Sequence, residues 1–189
     1  MFIYFKFKGR IMKKLLVILL DKFQDIELTT FISLIKKAEI FTDIEFFNPK
    51  NKLVIGQFGV VSIQAHNHWK SDDFDAVFIP GGFAAQLFRK DSKSIQLVSE
   101  FFAQNKHIFA ICDAPNAIFE LKLAENYQFS SYPNQHNSKI RLRQDSLVTI
   151  DRNYISARNA ASSADFAFVV IEKLGSKELA QKIRNGFYL

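Results

Sequence analysis

The sequence holds a single cysteine in 189 residues. This excludes an internal disulfide and a zinc site built from several cysteines, and we predict no metal ion. His66 and His68 could share one side of a strand, but no third ligand accompanies them in the sequence. A lone thiol is typical of the reducing cytosol, so we expect a cytoplasmic protein.

Long apolar runs are also scarce. The longest early run, from Leu15 to Leu20, ends at Asp21, whereas a membrane helix needs ~20 apolar residues. No small-residue cleavage site follows this run, as a signal peptide would require. We therefore expect no association with a membrane.

A concentrated basic patch is missing as well, although the net charge is +6. The densest basic clusters lie at 13–14, 36–37 and 141–143. None of them is a run interleaved with aromatic residues, as nucleic-acid binding would favour. We interpret the positive charge as solvated faces and predict no nucleic-acid partner.

The residues that are present fit one globular domain. Apolar residues make up 48% of the chain and charged residues 23%, which are ordinary proportions for a folded domain. The patterned part runs from Met12 to Leu189 and predicts a single domain. Residues 1–11 could be an N-terminal extension, a mis-called start or an extra edge strand, and these alternatives stay open.

Strand patterns alternate with helical patterns along the chain. The predicted strands are 15–20, 42–47, 53–55, 60–63, 76–79, 107–111, 147–150 and 154–156, and the predicted helices are 26–38, 92–104, a segment after Cys112, 163–174 and 176–185. This alternation predicts an α/β domain with a mainly parallel sheet and helices on both faces. Ligands of such sheets bind beyond the carboxyl ends of the strands.

Cys112 lies at such a strand end. An apolar strand runs directly into it, and a helical pattern resumes immediately afterwards. This switch is typical of a nucleophile elbow, so we expect a positive φ at Cys112. The N-terminus of the following helix would lower the pKa of the thiol. A buried, inert cysteine is the alternative interpretation.

Two further features lie at the same predicted edge. Gly81 and Gly82 end the preceding strand and could present amide donors to an anion, although a plain turn would use them too. Glu27 opens the first predicted helix, where Asp25 could be the N-cap. If Glu27 is buried beside Cys112, we expect it to be protonated and to donate a hydrogen bond to the sulfur.

These features together resemble the ThiJ/PfpI superfamily, which includes the Parkinson-associated deglycase. The resemblance rests on the segments 25–27, Asp-Ala-Val-Phe-Ile-Pro-Gly-Gly at 75–82 and Ala-Ile-Cys-Asp-Ala-Pro at 110–115, and on a closing strand and helix at 154–158 and 163–167. It covers about 12–189. The resemblance implies a flavodoxin-like three-layer sandwich that is usually a homodimer.

The resemblance also implies a site and its chemistry. Cys112 would be the reactive thiolate, Glu27 the acid that touches it, and the amides near Gly81, Gly82 and Asp113 would surround the sulfur. Family activities need no cofactor. They include glyoxalase and deglycase chemistry on dicarbonyl-derived groups and, in some branches, peptidase or amidase activity, while other members are oxidation sensors or chaperones.

Some residues depart from the family's pattern. Tyr132 stands where many relatives carry histidine, and a neutral tyrosine is a poor base near pH 7; His136 could substitute. The charge of Asp113 would raise the pKa of the thiol unless it turns away or pairs. Arg158 could bind a substrate carboxylate, pair with a glutamate at a dimer interface, or lie on the surface. These departures argue against peptidase activity.

Two functions from different classes follow. In the first, Cys112 attacks a carbonyl carbon of a small dicarbonyl or its adduct, Glu27 moves protons, and water releases a hydroxy acid. In the second, Cys112 is a non-enzymatic sensor that peroxide oxidises to sulfenic or sulfinic acid. We also expect a homodimer formed by the first helix and the hairpin around 56–59, with Phe23, Phe47 and Phe58 supplying apolar area.

Overall fold

Strands and helices alternate along the chain, as the sequence pattern predicts. The computed structural model of the protein describes residues 12–135, 137 and 139–188, so the segment 1–11 and His136 lie outside the described residues. The strands are β1 (Met12–Ile18), β2 (Phe41–Phe47), β3 (Leu53–Ile55), β4 (Ser62–Gln64), β5 (Ala76–Ile79), β6 (His107–Ile111), β7 (Phe129–Ser130), β8 (Arg143–Gln144), β9 (Val148–Asp151) and β10 (Tyr154–Ala157). The helices are α1 (Asp25–Ala38), α2 (Ala84–Phe88), α3 (Ser92–Ala103), α4 (Ala114–Glu120), α5 (Ser163–Leu174) and α6 (Lys177–Tyr188).

A six-stranded sheet forms the middle layer of the described part of the chain, in the order β2-β1-β5-β6-β10-β9. Neighbouring strands are parallel except for β9, which runs antiparallel to β10. The pairs β3–β4 and β7–β8 stand apart from this sheet. The predicted mainly parallel sheet is confirmed, and β1, β5 and β6 place their carboxyl ends side by side.

Two groups of helices enclose the sheet. Helices α1, α5 and α6 contact one another, while α2 contacts α4 and α3 packs on β5 and β6. With the sheet between them they form the expected flavodoxin-like three-layer sandwich. No helix in the described ranges is both long and apolar enough to span a membrane.

Aromatic side chains tie the layers together. Phe31 of α1 lies 4.2 Å from Phe78 of β5 and 5.0 Å from Phe166 of α5, measured between ring centroids. All three rings are buried. Contacts of this kind add to the free energy gained by removing the rings from water. They fix the packing of α1, whose first turn carries Glu27.

The hairpin β3–β4 is anchored to the start of α1. The sequence suggested Asp25 as the N-cap of this helix, and this prediction is wrong. The Asp25 carboxylate instead accepts hydrogen bonds from the amides of Phe58, Val60 and Val61 at 2.9–3.1 Å. The N-cap is Gln24, whose side chain makes no capping hydrogen bond. The long-range contact of Asp25 therefore fixes the hairpin loop beside α1.

Candidate active site

Cys112 lies in the turn between β6 and α4 with φ +64°. The prediction of a positive φ is confirmed. Its amide donates to the carbonyl of Ala157 at 3.0 Å, and its carbonyl accepts the amide of Tyr132 at 2.8 Å. Because both backbone groups are held by neighbouring segments, the turn can keep a conformation that is costly for a residue other than glycine.

Gly81 lies between Cys112 and Glu27 and borders both. Its amide donates to Glu27 Oε2 at 2.7 Å, so it serves the carboxyl group and not the sulfur. A Cβ at position 81 would lie 2.6 Å from the Cβ of Cys112 and 2.9 Å from Glu27 Oε2. No side chain fits there. Gly82 has φ +78°, and its amide and that of Asp113 lower the pKa of the Cys112 thiol.

Glu27 is fully buried in the first turn of α1. Burial raises the pKa of its carboxyl group to about 7, and the charge of Asp113 raises it further, whereas hydrogen bonds from Gly81 and Cys112 oppose the shift. Its Oε1 atom has no hydrogen-bond partner of standard geometry among the described residues. A proton on Oε1 would relieve this buried charge.

The thiol of Cys112 has a raised pKa. Burial raises its pKa, and the negative charge of Glu27 and their mutual hydrogen bond raise it further, against the lowering effect of the amides of Gly82 and Asp113. The amide of Asp113, the N-cap of α4, lowers the thiol pKa as expected, but the net shift is upward. Burial and the neighbouring acid raise the thiol pKa by more than the N-terminus of the short helix α4 lowers it. Thiolate forms when Glu27 holds the proton, so one proton is shared by the pair.

Asp113 carries its charge in an ion pair. Arg89 Nη1 lies 2.8 Å from Asp113 Oδ2, and Arg89 Nε lies 2.6 Å from Glu120 Oε2. Gln86 and Asn116 also donate to the Asp113 carboxylate, at 3.0 and 2.9 Å. The condition set from the sequence, that Asp113 must pair or turn away, is met. Sequence reasoning missed Arg89 because nothing in the local pattern around it points to position 113.

Tyr132 reaches the elbow through its backbone. Besides the bond from its amide to Cys112, its carbonyl accepts the side-chain amides of Asn116 and Asn137 at 3.0 and 2.7 Å. Asn137 also donates to Asn116 Oδ1 at 2.8 Å. The Tyr132 side chain is half exposed. These two buried asparagines hold the segment after β7 against the elbow.

Arg158 lies directly after β10 and is paired within the chain. Its Nη1 atom is 3.1 Å from Asp145 Oδ1. This carboxylate is its partner among the described residues of the chain. The pair is partly exposed, with 30% of the Arg158 side chain and 70% of the Asp145 side chain open to solvent.

The described histidines lie away from the elbow. His66 contacts Asn51 at 3.0 Å, and its ring lies 5.5 Å from that of His68, which packs against Trp69. His107 begins β6, at the opposite end of the strand from Cys112. In the described ranges, no three His, Cys, Asp or Glu side chains cluster as metal ligands would. Two surface cavities, one beside Trp69 and one beside Lys52, have no contact with Cys112.

Comparison with curated proteins finds relatives over most of the chain. Uncharacterized protein MG029 of Mycoplasma genitalium is 31% identical over 85% of this chain and 87% of its own length. General stress protein 18 of Bacillus subtilis is 32% identical over 64% of this chain and 71% of its own length. Deglycase PYRAB04690 of Pyrococcus abyssi is 25% identical over 77% and 89%.

The fold matches solved structures. Drosophila melanogaster DJ-1beta has 24% sequence identity and a TM-score of 0.82, with 94% of this chain and 98% of that chain covered. A likeness at this identity shows the fold. The family is shown by the sequence itself, since residues 13–173 match the sequence model of the DJ-1/PfpI family. The chain therefore belongs to the DJ-1/PfpI family.

Proposed function

We propose that the protein is a cofactor-independent, cysteine-dependent enzyme that converts small dicarbonyls, or the adducts they form, into hydroxy acids. The observation that carries this proposal is the pair formed by Cys112 and Glu27: the elbow cysteine and a buried carboxyl group both border Gly81, and each shifts the pKa of the other. The resemblance to a deglycase over most of the chain supports the same chemistry.

The first step uses the proton shared by the pair. Glu27 takes the thiol proton, and the sulfur of Cys112 attacks the aldehyde carbon of a dicarbonyl such as methylglyoxal. The C–S bond forms as the C=O π bond breaks, and the oxygen receives the proton back from Glu27. The product is a hemithioacetal. The amides of Gly82 and Asp113 stabilise the negative charge on sulfur before the attack.

The following steps need only one acid–base group. Glu27 removes the proton from the carbon bonded to sulfur, which leaves an enediolate. The hydroxyl proton passes from the first oxygen to the second, and Glu27 returns its proton to the neighbouring carbon, so that the hemithioacetal becomes a thioester of the hydroxy acid. Water then cleaves the C–S bond, releasing lactate and the thiol. A carboxyl group whose pKa is raised to about 7 is suited to both directions of proton transfer near neutral pH.

The test is conversion of methylglyoxal to lactate by the purified full-length chain. We expect turnover in the wild type and in Tyr132→Phe, which removes only a half-exposed hydroxyl group. Cys112→Ser and Glu27→Gln should each abolish it. Lactate production by Cys112→Ser at the wild-type rate would defeat the proposal.

Peptide hydrolysis is not part of this proposal. Protonation of a leaving amine is usually the task of a histidine beside the nucleophile, and the three described histidines lie elsewhere. We expect a fluorogenic peptide to stay intact. Cleavage that disappears in Cys112→Ser would show that His136, or a histidine of a second copy, completes the site.

A second candidate function is oxidation sensing. Cys112 is the only cysteine in the chain, so it has no internal thiol with which to form a disulfide, and peroxide would carry it to sulfenic and sulfinic acid. Relatedness to a general stress protein favours this alternative. A chain that gains two oxygen atoms at Cys112 in dilute peroxide, yet converts no dicarbonyl, would favour the sensor.

We also propose that the protein is a homodimer. Phe23 and Phe47 are buried in the core, so the sequence-based expectation that they supply interface area is wrong. The apolar surface lies instead on the hairpin and the start of α1: Ile26, Ile55, Phe58 and Val60 are 50–78% exposed. Because Asp25 holds the hairpin loop against α1, these side chains form one patch that a second copy could cover.

A further inference from the structure

Asp113 places a carboxylate directly after the proposed nucleophile, Cys112. Its backbone amide lowers the pKa of the thiol. Its charge also raises the pKa of Glu27, the acid beside the nucleophile. An unpaired negative charge here would disfavour a second negative charge on sulfur.

Arg89 neutralises this carboxylate in a partly buried setting. It binds both oxygens, with Nη1 at 2.8 Å from Oδ2 and Nη2 at 3.2 Å from Oδ1 of Asp113. About a fifth of each side chain is exposed. Burial opposes the charge on Arg89, but hydrogen bonds to Glu120 and Asp113 raise its pKa above the ordinary value. Arg89 therefore remains a cation.

We propose that Arg89 is a positioning residue that holds the Asp113 carboxylate in a two-point ion pair, and so preserves the ability of Cys112 to form a thiolate. The inference rests on the proposed function in one respect, that the Cys112 thiolate is the reactive species. An aspartate directly after the nucleophile is compatible with thiolate chemistry here because a guanidinium group from the end of α2 faces it. A bidentate guanidinium pair also fixes the direction of the carboxylate, which a lysine would not.

Four other groups lie near the elbow in the described part of the chain. Glu27 of α1 faces the sulfur directly and is common to every variant compared below. Arg158, after β10, is committed to Asp145. Tyr132 contacts the elbow by its backbone. Glu120, at the end of α4, binds the outer side of Arg89 and is half exposed, so solvent screens its charge.

The experiment is a comparison of iodoacetamide alkylation rates of Cys112 across pH in the folded full-length chain, followed by mass spectrometry. Arg89→Met leaves Asp113 unpaired, Asp113→Asn removes the carboxylate but keeps the cation, and the double variant removes both. Below the pKa of the thiol, the rate follows the thiolate fraction. Glu120→Gln is the matched control, because it removes a carboxylate from Arg89 without touching Asp113.

We expect Asp113→Asn to react fastest, the wild type and the double variant to react at similar rates, and Arg89→Met to react slowest. Each step should be roughly threefold to tenfold, since tenfold corresponds to one unit of thiol pKa. Glu120→Gln should stay within about twofold of wild type, as an exposed charge would. Rescue of Arg89→Met by the second substitution is a result that a purely structural role of Arg89 cannot give.

Two outcomes would overturn the inference. One is an Asp113→Asn rate equal to that of wild type, which can be measured even if Arg89→Met fails to fold. The other is a double variant that is as slow as Arg89→Met. Neither result bears on methylglyoxal turnover, so failure of this inference and failure of the proposed function can be told apart.

Discussion

Gly81 and Glu27 are joined by a 2.7 Å hydrogen bond from the glycine amide to Oε2 of the carboxyl group. The bond fixes a buried acid next to Cys112 and lowers the cost of burying it. Gly81 also lies between Cys112 and Glu27, where no side chain would fit. The pair therefore depends on the absence of a Cβ at one position.

Gly81→Ala should destabilise the protein and separate the pair. The new methyl group would lie 2.6 Å from the Cβ of Cys112, and forcing extra volume into a packed site costs about 1–3 kcal/mol of unfolding free energy. Denaturant unfolding measures this change. Gly186→Ala is the control: its new Cβ would meet the flexible end of Lys37, and alanine in a helix is favoured by about 0.5–1 kcal/mol. Equal stability of the two variants would contradict the prediction.

The position of this pair is the part of the site that could be predicted from sequence. Cys112, Gly81 and Glu27 each follow a strand that reads clearly as apolar and buried, and the edge rule for parallel sheets brings such strand ends together. The boundaries of β5 and β6 are as predicted. Fold and elbow were therefore accessible from a pattern of apolar residues and glycines.

The ion pairs and the hydrogen bonds of Asp25 were not accessible in this way. Arg89 reaches Asp113, Arg158 reaches Asp145 and Asp25 reaches the hairpin loop. Each contact joins segments that are remote along the chain and depends on the direction of a long side chain, which no local pattern encodes. Short elements were missed for a related reason: α2 has five residues and β7 has two, too few to show a hydrophobic period.

The stability of the protein should fall as the pH rises from about 4.5 to about 7. In this window the unfolded chain loses the proton of Glu27 while the folded chain keeps it, because burial raises the folded pKa from 4.5 to about 7. The contribution of Glu27 is complete below pH 4.5 and is lost by about pH 7, a total of about 3 kcal/mol. Glu27→Gln cannot ionise, so its unfolding free energy should lack this loss. Parallel pH profiles of the two proteins in urea unfolding would refute the assignment.

Glu27→Gln should also separate thiol reactivity from catalysis. The charge of Glu27 raises the pKa of the Cys112 thiol, so the neutral amide should lower that pKa and speed alkylation by iodoacetamide at pH 8 several-fold. Dicarbonyl turnover should nevertheless be lost, because the amide cannot carry protons. The two rates are measured on one preparation, with Tyr132→Phe as the variant expected to change neither. If Glu27→Gln is slow in both assays, Glu27 stabilises the thiolate by donating a hydrogen bond to it. That result would contradict the assignment that Glu27 raises the pKa of the thiol.

Disruption of the apolar patch should dissociate the proposed dimer without unfolding the chain. Val60 is 78% exposed and Phe58 is 66% exposed, so Val60→Glu and Phe58→Asp place charges on a surface that an isolated chain leaves in water. Their backbone amides would still donate to Asp25, which keeps the hairpin loop in place. We expect light scattering at micromolar concentration to give the dimer mass for the wild type and the monomer mass for both variants. Leu147→Glu, on another exposed apolar position near β9, is the matched control and should remain dimeric. A wild-type protein that is monomeric at this concentration would contradict the homodimer. A Leu147→Glu variant that dissociates while Val60→Glu does not would place the interface elsewhere.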